Sequence, residues 1–126
     1  MTSSVSPPPA QSVLIVEDEA MIALMLEEFV GALGHRVHGV ANTLEDACRI
    51  VRSGGFDLAI LDCHLNGEEA WPVADMLEQS QIPYVLSSGG SSSDIPAPYA
   101  SRPLLAKPYT LGTISDVLGT CIDTPT

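Results

Sequence analysis

Short apolar runs rich in Val, Ile and Leu recur along the chain, and several are followed by a stretch with apolar residues at helical spacing. "SVLIV" (12–16) predicts a strand, and "AMIALMLEEFVGAL" (20–33) predicts a helix closed by Gly34 as its C-cap. The same grammar repeats in "HRVHGVA" (35–41) and "TLEDACRIVRSG" (43–54), a strand and then a helix capped by Thr43. "FDLAILD" (56–62) predicts a strongly buried strand. "EEAWPVADMLEQS" (68–80) predicts a helix that tolerates Pro72 only in its first turn. "IPYVLSS" (82–88) and "RPLLAK" (102–107) complete the strands, and "TLGTISDVLGTCI" (110–122) is a last helix weakened by Gly112 and Gly119. Alternation of this kind predicts an α/β fold, with a parallel sheet covered on both faces.

One segment breaks the rhythm. "GGSSSDIPAPYASRPLLA" (89–106) is so rich in glycine, serine and proline that the fourth helix should be short, irregular or missing. The same composition predicts few buried apolar contacts there and opening at low free-energy cost.

Composition narrows the class. The chain has 126 residues, 45% of them apolar, which suits one domain with a real core. "MTSSVSPPPAQS" reads as a loose tail rather than a signal peptide, so residues 1–11 are expected to be disordered and 12–122 to form the domain. With four residues after Ile122, no output domain is expected. "AMIALML" is far too short for the roughly 20 residues of a membrane span. Cys48, Cys63 and Cys121 follow no disulfide pattern, so the expected location is cytoplasmic. A formal net charge of −11 speaks against nucleic acid as a partner.

In open parallel sheets, ligands bind beyond the carboxyl ends of the strands. Those ends here read "VEDE", "LDCH", "SSGG" and "AKP". They gather carboxylates, hydroxyls, glycines and Lys107, the chain's lone lysine. Acids crowded at one edge repel unless a cation lies among them, and an all-oxygen set suits Mg²⁺.

Together "LIVEDE", "LAILDCHL", "PYVLSSGG" and "LAKPY" resemble the receiver domain of two-component response regulators, over about residues 12 to 120. The resemblance implies a doubly wound, flavodoxin-like sheet of order 2-1-3-4-5. It implies a phosphoryl acceptor at Asp62 and Mg²⁺ held by Asp18 and Asp62, with Glu17 acting through water and His64 giving a backbone carbonyl. Ser88 takes the hydroxyl position and Lys107 pairs with the phosphoryl oxygens, as the attack of a carboxylate on an anionic phosphoryl group requires. Backbone N–H groups of Gly89 and Cys63 could hold the remaining oxygens. Mg²⁺ prefers oxygen, so the His64 imidazole is not expected as a ligand, and with no second cysteine near in sequence the Cys63 thiol is not expected to act as a redox sensor.

"LNGE", "WPVADML" and "IPYVLSSGG" are similar to the stand-alone alphaproteobacterial receivers named for a Phe-Ala-Thr-Gly motif, a motif occupied here by Leu86, Ser87, Ser88 and Gly89. Such receivers are often associated with histidine kinases of the HWE type. The chain departs from the wider receiver pattern where Leu65-Asn66 replaces Met-Pro and where Leu104 replaces an aromatic residue, which speaks against a rotating aromatic switch. Ser88 and the segment behind it, with ordering around residues 89 to 97, are the expected switch, and Tyr109 is read as packing. On the first helix Met21 and Leu24 should point away from the core. They either meet the last helix or dock a kinase's helical bundle.

The function so implied is that of a phosphorylated signalling protein rather than an enzyme, promoting only its own phosphorylation and dephosphorylation. It would be a monomer or weak dimer served by a sensor histidine kinase or a phosphotransfer protein, acting by contact or as a phosphate sink. Two alternatives remain open. One is a pseudo-receiver that only binds partners. The other is a haloacid-dehalogenase-like phosphatase with Asp62 as nucleophile, in which His64 stands where the second aspartate belongs.

Overall fold

Val, Ile and Leu suit a pleat buried on both faces, and the central strands are built from them. A computed structural model describes residues 10–88, 95–99, 102–106 and 110–123. In chain order the elements are β1 (Ser12–Val16), α1 (Ala20–Ala32), β2 (Arg36–Ala41), α2 (Leu44–Ser53) and β3 (Leu58–Asp62). There follow β4 (His64–Leu65), β5 (Glu68–Glu69), α3 (Trp71–Gln79), β6 (Tyr84–Ser88), β7 (Leu104–Ala106) and α4 (Leu111–Asp123). The main sheet is parallel, in the order β2-β1-β3-β6-β7. With the small β4–β5 hairpin set aside, this is the expected 2-1-3-4-5 arrangement.

Period-two alternation sorts the core into two layers. Leu14, Val16, Ala59, Leu61, Tyr84 and Leu86 pack on one side of the sheet against α2 and α3. Val13, Ile15, Leu58, Ile60, Val85 and Leu105 pack on the other, against Leu26 and Val30 of α1 and Ile114 and Leu118 of α4. Leu61 is fully buried, so truncation to Ala should cost about 3 kcal/mol. The Thr43 hydroxyl caps α2 as expected, accepting the Asp46 N–H at 3.1 Å. Gly34 follows the C-cap of α1 with φ +88°, the left-handed region that favours glycine. Met21 and Leu24 do face away from the core, at 83% and 56% exposure. Among the described residues, no helix is long and apolar enough to cross a membrane.

Two expectations need correction. Glu68 and Glu69 were expected inside a helix, but they form β5, and α3 begins only at Trp71 with Pro72 in its first turn. The cause is the Asn66-Gly67 pair. Both have positive φ, +52° and +82°, and Leu65 pairs with Glu68 across them, as in a two-residue type I′ hairpin.

The segment between β6 and β7 is also better anchored than its composition suggests. It contains a 3-10 turn at Ala97–Tyr99, which agrees with a missing regular helix in the described part. Yet Ile95 packs on the core and Tyr99 is buried, its ring stacked on Trp71 at 4.9 Å and 6°. The Tyr99 hydroxyl donates to the Asp75 carboxylate, which pushes its pKa up to about 12. The expected disordered tail (1–11) and the expected switch around residues 89 to 97 lie largely outside the described residues.

Candidate functional site

β1 and β3 run side by side in parallel, with Val16 beside Leu61, so the residues that follow meet at the carboxyl edge of the sheet. Glu17, Asp18 and Asp62 meet there, offering one carboxylate oxygen each within 4.8 Å of one another. Asp62 ends β3 and is buried, as is Glu17, while Asp18 is half-buried. Charges this close repel by roughly 3 kcal/mol per pair at an effective dielectric of 20.

The backbone offsets part of that repulsion. The Glu19 N–H donates to Glu17 Oε2 at 3.1 Å, and the His64 N–H to Asp62 Oδ1 at 3.3 Å. Asp18 Oδ2 accepts the Asn66 N–H at 2.8 Å, and the Asn66 side chain donates to the Asn42 carbonyl at 3.0 Å. These donors are neutral dipoles and cancel no charge. A set of hard oxygen ligands fits a divalent cation of the Mg²⁺ type.

Of the other expected site residues, His64 lies in β4 with its imidazole exposed, next to the triad through its own N–H. The expectation for Cys63 is not met. Its N–H continues the sheet, donating to the Ser87 carbonyl at 3.0 Å, so it is not turned toward the carboxylates. Ser87 is the strand partner of Asp62 and is buried, whereas Ser88 is half-buried beside Ala106. Lys107 and Gly89 lie outside the described residues.

The reading from sequence missed Asn66 and Asn42, although the Asn-Gly dipeptide is a strong short-range hairpin signal that would have flagged Asn66. An open cleft of about 400 Å³ lies at the opposite, amino-terminal end of the sheet, lined by Leu77, Glu78, Gln81, Ile82, Pro83 and Arg102. It is remote from the acids. Its charged residues already pair, Arg102 Nη2 with Glu78 Oε1 and Arg102 Nε with Glu78 Oε2 at 2.9 Å.

Known proteins agree with this architecture. SdrG from Sphingomonas melonis Fr1 is 38% identical, with a TM-score of 0.82 in a solution structure covering 90% of this chain and 97% of that one. The BeF3-activated conformation of SdrG, recorded from Pseudomonas melonis Fr1, is 39% identical with a TM-score of 0.78, covering 88% of this chain and 95% of that one. The PhyR response regulator REC domain of Erythrobacter litoralis is 27% identical at a TM-score of 0.79, covering 93% and 95%. Over 116 residues the chain is 31% identical to the phyllosphere-induced regulator PhyR of Methylorubrum extorquens, covering 86% of this chain but 42% of that protein. It thus spans about two-fifths of that curated relative. No family model matches.

A doubly wound sheet with an acid cluster at its carboxyl edge defines the class. The chain belongs to the receiver-domain family of response regulators, and it is similar to the SdrG and PhyR receivers of Alphaproteobacteria.

Proposed function

We propose that the protein, with residues 12–122 as its receiver domain, accepts a phosphoryl group on Asp62 from a histidine kinase. The observation that carries this reading is the position of Asp62, buried at the end of β3 and within 4.8 Å of Glu17 and Asp18. The BeF3-activated conformation described for SdrG supports it, since this chain shares that fold at 39% identity.

In the reaction an Asp62 oxygen forms a bond to phosphorus as the phosphorus–nitrogen bond of the donor phosphohistidine breaks. The electron pair leaves with the imidazole. Glu17, Asp18, Asp62 and the His64 carbonyl would hold Mg²⁺, which supplies positive charge to the transferring oxygens when bound. The His64 N–H orients the Asp62 carboxylate. Ser88, half-buried at the rim, suits a hydroxyl that must reach a phosphoryl oxygen better than the fully buried Ser87 does. Lys107, which follows Ala106 in the sequence, would provide the ammonium that pairs with the phosphoryl oxygens. Gly89 adds a backbone N–H. The exposed Met21 and Leu24, on the helix that begins just after Asp18, suit docking to the kinase's helical bundle.

Radiolabel transfer from histidine kinases phosphorylated on their own histidine tests the proposal. Wild type should gain label and Asp62→Asn none; equal labelling of both would refute the assignment.

A further inference from the structure

The position that departs from the receiver pattern, Asn66 in place of proline, touches the acid triad directly. Its N–H donates to Asp18 Oδ2 at 2.8 Å, its Nδ2 donates to the Asn42 carbonyl at 3.0 Å, and its φ is +52°. Proline could supply none of these, because it lacks the N–H and its ring fixes φ near −65°. We propose that Asn66 is a positioning residue for the cation site, holding Asp18 in its ligating orientation from the β4–β5 hairpin. This rests on the reading that the triad binds Mg²⁺.

The three carboxylates are held in different ways. Glu17 and Asp62 accept N–H groups from residues only two positions further along the chain. Asp18 accepts one from a residue 48 positions away. Its carboxylate is thereby tied to a hairpin that begins two residues after Asp62, and a charge-assisted bond of this length constrains the carboxylate's rotation. Asn66 also fastens the loop after β2 through Asn42. Three adjacent loops at the carboxyl edge thus meet at one residue, and the hairpin forms a wall of the site. Gly67 at φ +82° completes the turn that aims the Asn66 N–H. Partners in such outer positions set metal affinity by fixing the ligands before the ion arrives.

The test is Mg²⁺ titration of the full chain by calorimetry, with thermal melting in chelator alongside. Asn66→Gly keeps the N–H and tolerates positive φ, losing only the bond to Asn42, and should bind more tightly than Asn66→Pro. Asn66→Pro removes both and should bind about tenfold more weakly. Equal affinity in the two variants would overturn the inference while leaving the site itself intact. If wild type shows no Mg²⁺ binding, the reading of the triad falls and this inference falls with it. An independent arm does not rely on the proline variant folding. In a ¹H–¹⁵N spectrum the Asn66 amide proton should shift upfield in Asp18→Ala and should respond to Mg²⁺ in wild type. An Asn66 amide indifferent to Asp18→Ala would also overturn it.

Discussion

Two polar clusters lie at opposite ends of the sheet, and they are built on opposite electrostatic plans. At the carboxyl edge Glu17, Asp18 and Asp62 bring like charges together and are held by backbone N–H groups. Toward the amino-terminal end, unlike partners meet. Arg102 pairs with Glu78 and lies over the Tyr84 ring at 5.1 Å, while the Tyr84 hydroxyl donates to Glu78 Oε2 at 2.8 Å. Next to them Tyr99 stacks on Trp71 and donates to Asp75. Arg102 holds the Glu78 carboxyl below its ordinary range, and burial, followed by the hydrogen bond to Glu78, pushes the Tyr84 phenol up. The second cluster is satisfied by its own members and has nothing to gain from an ion. The first offers three carboxylate oxygens within 4.8 Å of one another, a hard-oxygen set that suits a divalent cation.

The strongest way to break this contrast is at Tyr99. Tyr99→Ala removes a buried ring and its stack, and should lower the unfolding free energy by about 3 kcal/mol in urea titration. Tyr99→Phe should lose only about 1 kcal/mol, for the bond to Asp75. Mg²⁺ affinity should be unchanged in Tyr99→Phe; a large loss would mean that the two clusters are not separate.

A smaller effect belongs to the Glu78–Arg102 pair, whose side chains are about one-third exposed. Exchanging Arg102 for Met should cost about 1 kcal/mol at neutral pH, because the pair is partly screened by solvent. The pH dependence has a definite sign. The folded-state pKa of Glu78 is depressed, so its contribution is present above the unfolded value and is lost as pH falls through the lower, folded value. Wild type should weaken relative to Glu78→Gln below about pH 4, and parallel stability curves across that window would refute the pairing.

The smallest expected change runs in the opposite direction. Asp18→Asn removes one of the like charges while keeping an oxygen for the Asn66 N–H. In chelator it should stabilise the fold by roughly 0.5–1 kcal/mol, seen as a melting point a few degrees higher. Added Mg²⁺ should raise the melting point of wild type but not of the variant. A lower melting point for Asp18→Asn in chelator would show that the triad is not strained.

Much of this was legible in the sequence because it is local or periodic. β1, β3 and β6 announce themselves as apolar runs, and Glu17, Asp18 and Asp62 fall at their ends. The hairpin was missed because strands of two residues carry no periodicity, so Glu68 and Glu69 were absorbed into the helix that follows; the Asn66-Gly67 turn was the available signal. The Cys63 N–H was misassigned because its bond to Ser87 depends on the pairing of β3 with β6. The region near Tyr99 reads as loose from its prolines and serines. Its anchors lie elsewhere in the chain, since Tyr99 finds Asp75 and Arg102 finds Glu78, each across 24 positions. Composition reports local freedom and not such distant partners.

The role proposed for Asp62, a carboxylate nucleophile whose reaction requires a cation in the triad, can be measured directly. Intact-mass spectrometry after incubation with acetyl phosphate tests it without any choice of kinase. Wild type with Mg²⁺ should gain the mass of one phosphoryl group, while wild type in chelator and Asp62→Asn with Mg²⁺ should gain none. Phosphoryl addition that persists in Asp62→Asn, or that proceeds equally in chelator, would contradict the account.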